Sequence, residues 1–176
     1  MKKSDIICFD LETTGLRDKD EILQLSIIDG NFEILFNEYI KPEKLSSWPE
    51  AEAVNHISPQ LVMDKKPLLY YKEQIEDIFN SAELIVGYNC NLFDFPFLYR
   101  SGINVGNNIP SFDVMLEFAE IYGDWNENHG SYKWQKLITC AAYYGYRQEG
   151  NFHDSLEDVK ATLFCYYKIQ EYASAK

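Results

Sequence analysis

Residues 6–16 read IICFDLETTGL, an apolar run that ends on two acids and then breaks at a glycine. This is the signature of a buried strand with charge at its exit. Successive strand side chains alternate in direction, so Ile6, Cys8, Asp10 and Glu12 share one face and Ile7, Phe9 and Leu11 take the other. Two carboxylates on one partly buried face repel each other and lose hydration unless a proton or a cation sits between them. The pair therefore points to a divalent metal, and a metal there points to catalysis. The bland alternative is a solvated strand end, and the D-x-E tripeptide alone does not decide between them.

Working outward, residues 17–21 form a short charged turn and residues 22–28 a second apolar strand. Asp29, Gly30 and Asn31 tolerate the positive φ of tight hairpins, so a third strand is expected over residues 32–40, with Phe32, Ile34 and Phe36 on one face. The chain thus opens with a three-strand antiparallel meander. Residues 41–67 contain Pro42, Pro49, Pro59 and Pro67 among many apolar residues, which predicts a packed loop with short helical turns, one of them capped by Ser58. Leu68, Tyr71, Ile75, Ile78 and Phe79 then lie along one stripe of an amphipathic helix.

A short buried strand is expected at residues 84–87, a helix from near Phe93 to before Gly102, and a strand at 109–114 entering a helix through Tyr122. The polar stretch 123–131 reads as a mobile loop. A helix over residues 132–144 follows from the spacing of Trp134, Leu137, Ile138 and Ala141, and a last helix over 155–172 from Asp154 and Glu157 in capping-box spacing. Nothing divides the chain, so residues 1–176 are expected to form a single domain.

Composition narrows the function classes. The 176 residues include 46% hydrophobic and 25% charged residues, which suits a folded domain rather than a disordered one. Net charge is −12, and the surface stays acidic even when four candidate metal-binding carboxylates are set aside. Coating of duplex nucleic acid is excluded; such a partner has to be held locally, at a chain end. Thirteen Tyr and eleven Phe are mostly core and rim residues, with some capacity to stack on bases. The four cysteines, Cys8, Cys90, Cys140 and Cys165, are widely spaced and lie in apolar segments, as buried free thiols of a reducing compartment do. The apolar run between Asp5 and Asp10 is too short for an export or membrane segment, so no membrane association and a cytoplasmic location are expected.

Two further segments carry acids in telling company. In GYNCNLFDFPFL (residues 87–98) Asp94 sits among Phe93, Phe95 and Phe97, where a carboxylate needs a partner or a helix N-terminus to cap. In HDSLEDVKAT (residues 153–162) His153 and Asp158 flank the start of the last helix. There the acids can complement the helix dipole, while an imidazole is a ready general base near neutral pH.

Taken in order, FDLETTGL (residues 9–16), FDFPFL (93–98) and HDSLEDVKAT (153–162) resemble the three motifs of the DEDDh exonucleases, the ribonuclease H-like group that includes polymerase proofreading subunits and three-prime repair exonucleases. The resemblance covers nearly the whole chain, and the spacing from His153 to Asp158 places it in the histidine branch. VNHIS (residues 54–58) is similar to the family's loop before its first long helix, and Phe112-Asp113 to its fifth strand. Tyr88 stands where many members have His, Asn89 lies five residues before Asp94 rather than four, as in the three-prime repair type, and Ser155 replaces a frequent Ala.

The resemblance implies an α/β, ribonuclease H-like fold: a mixed central sheet of about five strands, the first three an antiparallel meander, flanked by helices. It implies that Asp10, Glu12, Asp94 and Asp158 hold two Mg²⁺ or Mn²⁺ ions, Asp10 bridging both, with His153 as general base for the attacking water. Thr13, Leu16, Ile57 and Asn89 match positions that contact the terminal nucleotides. The implied activity is 3′-to-5′ exonucleolytic hydrolysis of single-stranded DNA to nucleoside 5′-monophosphates. The implied partner is the 3′ end of single-stranded DNA or RNA, with a polymerase or repair complex as protein company. An exoribonuclease and a non-catalytic subunit that binds nucleic-acid ends are the rival readings; an acidic calcium domain lacks the loop spacing.

Overall fold

The computed structural model describes residues 2–106, 108–147 and 154–174. Strand β1 (Ile6–Thr13) pairs antiparallel with β2 (Ile22–Asp29), which pairs antiparallel with β3 (Ile34–Tyr39). Two short helices, α1 (Pro49–Asn55) and α2 (Pro59–Val62), interrupt the long connection, and Ser58 caps the second by accepting the Leu61 N–H. A 3₁₀ turn at Leu68–Tyr71 leads into α3 (Lys72–Ser81), and then β4 (Leu84–Gly87) pairs parallel with β1. Helix α4 (Asp94–Arg100), strand β5 (Ser111–Asp113) parallel to β4, and α5 (Val114–Tyr122) follow. A hairpin of β6 (Trp125–Asn126) and β7 (Ser131–Tyr132) precedes α6 (Leu137–Tyr143) and the long α7 (Ser155–Ser174). The five-stranded sheet has the order β3-β2-β1-β4-β5, so β1 is its central strand.

The alternation along β1 divides the core into two layers. Ile7, Phe9 and Leu11 pack with Ile75 and Phe79 of α3 and Phe97 and Leu98 of α4. The Phe9 and Phe79 rings meet edge to face with centroids 5.0 Å apart. Ile6 and Cys8 face the other layer, among Val114 and Phe118 of α5, Cys140 and Ala141 of α6, and Val159 and Leu163 of α7. A strand covered on both faces reads as a continuous apolar run, which is why IICF carries no polar alternation. One consequence decides the site: Asp10 and Glu12 continue the Ile6–Cys8 face and therefore look toward α7.

Side-chain hydrogen bonds fix the N-terminal end of α7 against the sheet. Ser155 Oγ lies 2.6 Å from Ser26 Oγ on β2, and the Ser155 N–H donates to Gln24 Oε1 at 3.3 Å. Asp154 caps the helix through the Leu156 N–H. The loop after β4 is anchored in turn by buried Asp113, whose carboxylate accepts the N–H groups of Asn89 (2.9 Å), Asn91 (3.2 Å) and Met115 (3.1 Å). Gly87 allows this loop to fold back, because a Cβ there would fall 2.5 Å from Cys90 Cβ. A third cluster of Leu23, Trp48, Ile57 and Val62 holds α1 and α2 to the sheet, with Trp48 Nε1 donating to the Ile57 carbonyl at 2.6 Å.

The meander, β4, α4, β5, α5 and the last helix stand where the sequence places them, and all four cysteines are free and buried. Three local expectations are corrected. Phe32, Ile34 and Phe36 do not share a buried face: the β2–β3 register shifts between Ile27 and Ile28, and only Phe36 is buried. The stretch 123–131, read as a mobile loop, contains β6 and leads into β7, with the Trp125 and Tyr132 rings packed edge to face. The helix expected over 132–144 begins only at Leu137, because Lys136 has extended backbone at its N-cap, and Trp134 stands exposed outside it. Among the described residues no helix is long and apolar enough to cross a membrane.

Candidate active site

A cleft of about 720 Å³ opens where β1 and β4 end and α4 and α7 begin. Asp10, Glu12, Asp94 and Asp158 all line it. Carboxylate oxygens of Asp10, Glu12 and Asp158 lie within 4.8 Å of one another. Two of these acids come from alternating positions on β1 and the third from the first turn of α7, four residues after the capping Asp154. Asp94 enters from the start of α4 and is only 2% exposed.

The electrostatics follow from crowding acids in a dry place. Burial, reinforced by Asp94, Asp158 and Glu12, pushes the Asp10 carboxyl well above the ordinary carboxylate range. Burial and the Asp158 charge push Glu12 up to about 8 against a lowering hydrogen bond from Asn55. Asp94 also rises to about 8 through burial, although the N–H groups of Asp94 and Leu11 oppose the shift. Without a cation the cluster must therefore hold protons near neutral pH. The donor set fits a hard divalent cation, which takes carboxylate oxygens. One oxygen supports that fit independently: Asp94 Oδ1 is buried with no hydrogen-bond partner among the described residues.

The remaining sequence candidates divide. Thr13 and Leu16 line the cleft. Thr13 is buried and donates through Oγ1 to the Gly15 carbonyl at 2.7 Å, while Leu16 stands 82% exposed on the rim. That rim is tied by the Arg17 N–H to Asp20 Oδ2 (2.7 Å) and by Arg100 to the Arg17 carbonyl (3.2 Å). Ile57 and Asn89 are not brought to the cleft wall. Ile57 packs in the third cluster, and Asn89 adopts φ 60° with its N–H on Asp113, so both shape the walls from behind. His153 lies outside the described residues.

Sequence reasoning missed Asn55 as a contributor. Its Nδ2 donates to the Thr13 carbonyl (3.1 Å) and its Oδ1 accepts the Ile57 N–H (3.1 Å), and its carboxamide dipole favours the charged form of the neighbouring Glu12 carboxyl. A buried Asn closing α1 just before the left-handed His56 was the available signal. Tyr88 and Phe93 also line the cleft, and Tyr88 donates its hydroxyl to the Gln135 carbonyl at 2.8 Å.

Comparison with known proteins agrees with this geometry. The model of the RNase_T family, described as exonuclease, matches residues 7–166. An uncharacterized exonuclease, CP81 of Escherichia phage 186, is 31% identical over 170 residues, covering 92% of this chain and 86% of its own. Among solved structures, the zinc-bound complex of Escherichia coli exonuclease I with single-stranded DNA superposes with a TM-score of 0.73 at 23% identity, covering 97% of this chain. The chain spans only 43% of that protein's length. Exonuclease X in complex with 5′-overhanging duplex DNA matches with a TM-score of 0.68 at 17% identity, over 96% of this chain and 93% of its own. These neighbours share the ribonuclease H-like fold. A family match across most of the sequence, together with an acidic cleft at the ends of β1 and β4, makes this chain a member of the DEDDh-type exonucleases of the RNase_T family.

Proposed function

We propose that the chain is a 3′-to-5′ exonuclease that removes nucleoside 5′-monophosphates from single-stranded DNA. The observation that carries this reading is the convergence of the Asp10, Glu12 and Asp158 oxygens within 4.8 Å, with buried Asp94 beside them in an open cleft. Such a cluster is costly to assemble and is suited to binding divalent cations. The direction is that of the DEDDh family, and the choice of single-stranded DNA is supported by the bound strand in the exonuclease I complex of the same fold.

In this reading Asp10, Glu12, Asp94 and Asp158 would hold two Mg²⁺ or Mn²⁺ ions, which would supply charge stabilisation for the attacking and leaving oxygens. His153 takes the proton of the attacking water. Attack on the terminal phosphorus releases the 3′ oxygen of the penultimate nucleotide as the new 3′-hydroxyl. Leu16 on the rim would meet the terminal base, and Asn55 would help to hold the Glu12 carboxylate in the acidic cluster.

A 5′-labelled single strand supplies the test, incubated with Mg²⁺, with Mn²⁺ and with chelator, beside the equivalent RNA. The expected product is a ladder shortened stepwise from the 3′ end, with chelator abolishing it; internal cuts, or equal activity in chelator, would overturn the reading. In the same assay His153→Ala is expected to lose roughly 10²- to 10⁴-fold in turnover, the usual contribution of a general base, while still binding Mn²⁺. Asn55→Ala is expected to weaken Mn²⁺ binding by about 10- to 100-fold, as loss of a group that orients a metal ligand does. Unchanged Mn²⁺ affinity in that variant removes Asn55 from the account.

A further inference from the structure

In a chain with 28 acidic residues, none occurs between positions 128 and 148, a stretch that contains Lys133, Lys136 and Arg147. The structure gathers exposed rings on the same stretch and on the hairpin before it. Trp125 on β6 is 50% exposed and packs against Tyr132 across the hairpin, Trp134 is 58% exposed, and Tyr143 on α6 is 55% exposed. Lys136 at the start of α6 and Arg147 beyond its end are both exposed and form no ion pair among the described residues. The strip is continuous with the cleft, because the carbonyl of Gln135, next to Trp134, accepts the hydroxyl of cleft-lining Tyr88.

Exposed rings interleaved with unpaired cations match a single nucleic-acid strand, in which each base offers a stacking face and each phosphate a charge. They suit a duplex poorly, since its bases are already stacked. A second copy of this chain meeting the strip through the same face is disfavoured because a two-fold contact would set the like charges of Lys136 and Arg147 against one another. We propose that this strip holds the single-stranded nucleotides lying 5′ of the terminal one, their bases on Trp134 and the Trp125–Tyr132 pair and their phosphates beside Lys136 and Arg147. The inference rests on the exonuclease reading and adds where the trailing strand lies.

The test is fluorescence anisotropy of labelled oligothymidylates of increasing length, in chelator so that nothing is cleaved. Wild-type affinity is expected to grow with length beyond the dinucleotide. Trp134→Ala is expected to weaken a long oligonucleotide by at least about 5-fold, the lower end of one stacking contact, and Trp134→Phe to keep most of the affinity. Lys136→Ala combined with Arg147→Ala is expected to reduce the slope of log K against log salt by about 1.4, the value for two phosphate contacts on a single strand. Wild-type binding in all three variants overturns the strip. So does a wild-type dimer in sedimentation that Trp134→Ala dissociates, since the face would then belong to a second copy. The parent reading fails separately: a chain that binds oligonucleotides through Trp134 but never shortens them with Mg²⁺ keeps the strip and loses the exonuclease.

Discussion

Asp10→Asn is expected to abolish metal-dependent hydrolysis and at the same time to stabilise the metal-free protein. The side chain keeps its shape, so packing is preserved, but the central member of the acidic cluster loses its charge. Charge stabilisation by a bound metal is worth several kcal/mol, and at about 1.36 kcal/mol per decade its loss lowers turnover by about 10³-fold or more. Without metal the same substitution removes a carboxyl that burial first, and then Asp94, Asp158 and Glu12, force to take up a proton on folding, so the melting temperature in chelator near neutral pH should rise. Exposed Asp77 on α3 is the control, and Asp77→Asn should change neither quantity. A variant of Asp10 that melts lower in chelator, or that retains turnover, contradicts the placement of the site.

The second large effect is a dependence of metal-free stability on pH that runs against the common acid-denaturation pattern. Glu12 rises from 4.5 to about 8 and Asp94 from 3.8 to about 8, so both bind protons more tightly in the folded chain than in the unfolded one. Between about pH 4 and pH 8 the folded state therefore carries the extra protons, and stability must fall as pH rises. The contribution of these groups is fully present below their unfolded values and is lost as pH passes through about 8. At about 1.36 kcal/mol per pKa unit this is an effect of several kcal/mol. Saturating Mn²⁺ should flatten or reverse the slope, because it binds the deprotonated acids. Melting temperatures of wild type and Glu12→Gln, measured across that range in chelator and in Mn²⁺, check this. A wild-type slope in chelator no steeper than that of Glu12→Gln would show that burial does not hold Glu12 protonated in the folded chain.

The parts of this molecule that depend on local rules were readable in advance. Period-two alternation put Asp10 and Glu12 on one face of β1, and the Asp29–Gly30–Asn31 turn predicted the meander, to which parallel pairing with β4 adds the strand that makes β1 central. The parts that failed depend on partners distant in sequence or on a single backbone irregularity. The shifted β2–β3 register exposes Ile34 while burying Phe36, and simple parity cannot foresee it. Helical spacing at Trp134, Leu137, Ile138 and Ala141 was real but extended past the helix, since Trp134 precedes an extended Lys136. The β6–β7 hairpin is held by Trp125 packing on Tyr132 within a polar stretch whose composition suggested a loop. Asn55 reaches Glu12 across 43 positions of sequence, so its role became visible only once α1 was placed against β1. Ile57 and Asn89 illustrate the converse, positions matched by motif that are not among the residues lining the cleft.

Calorimetric titration of the wild-type chain with Mn²⁺ near pH 8, repeated in buffers of different ionisation enthalpy, tests the central claim most directly. The proposed two-metal site predicts binding of two ions with release of protons, because the acids that hold protons at about 8 must give them up to the metal. Both the binding and the proton release should vanish in Asp10→Asn. Absence of Mn²⁺ binding by the wild type, or binding that survives Asp10→Asn without proton release, would contradict the account.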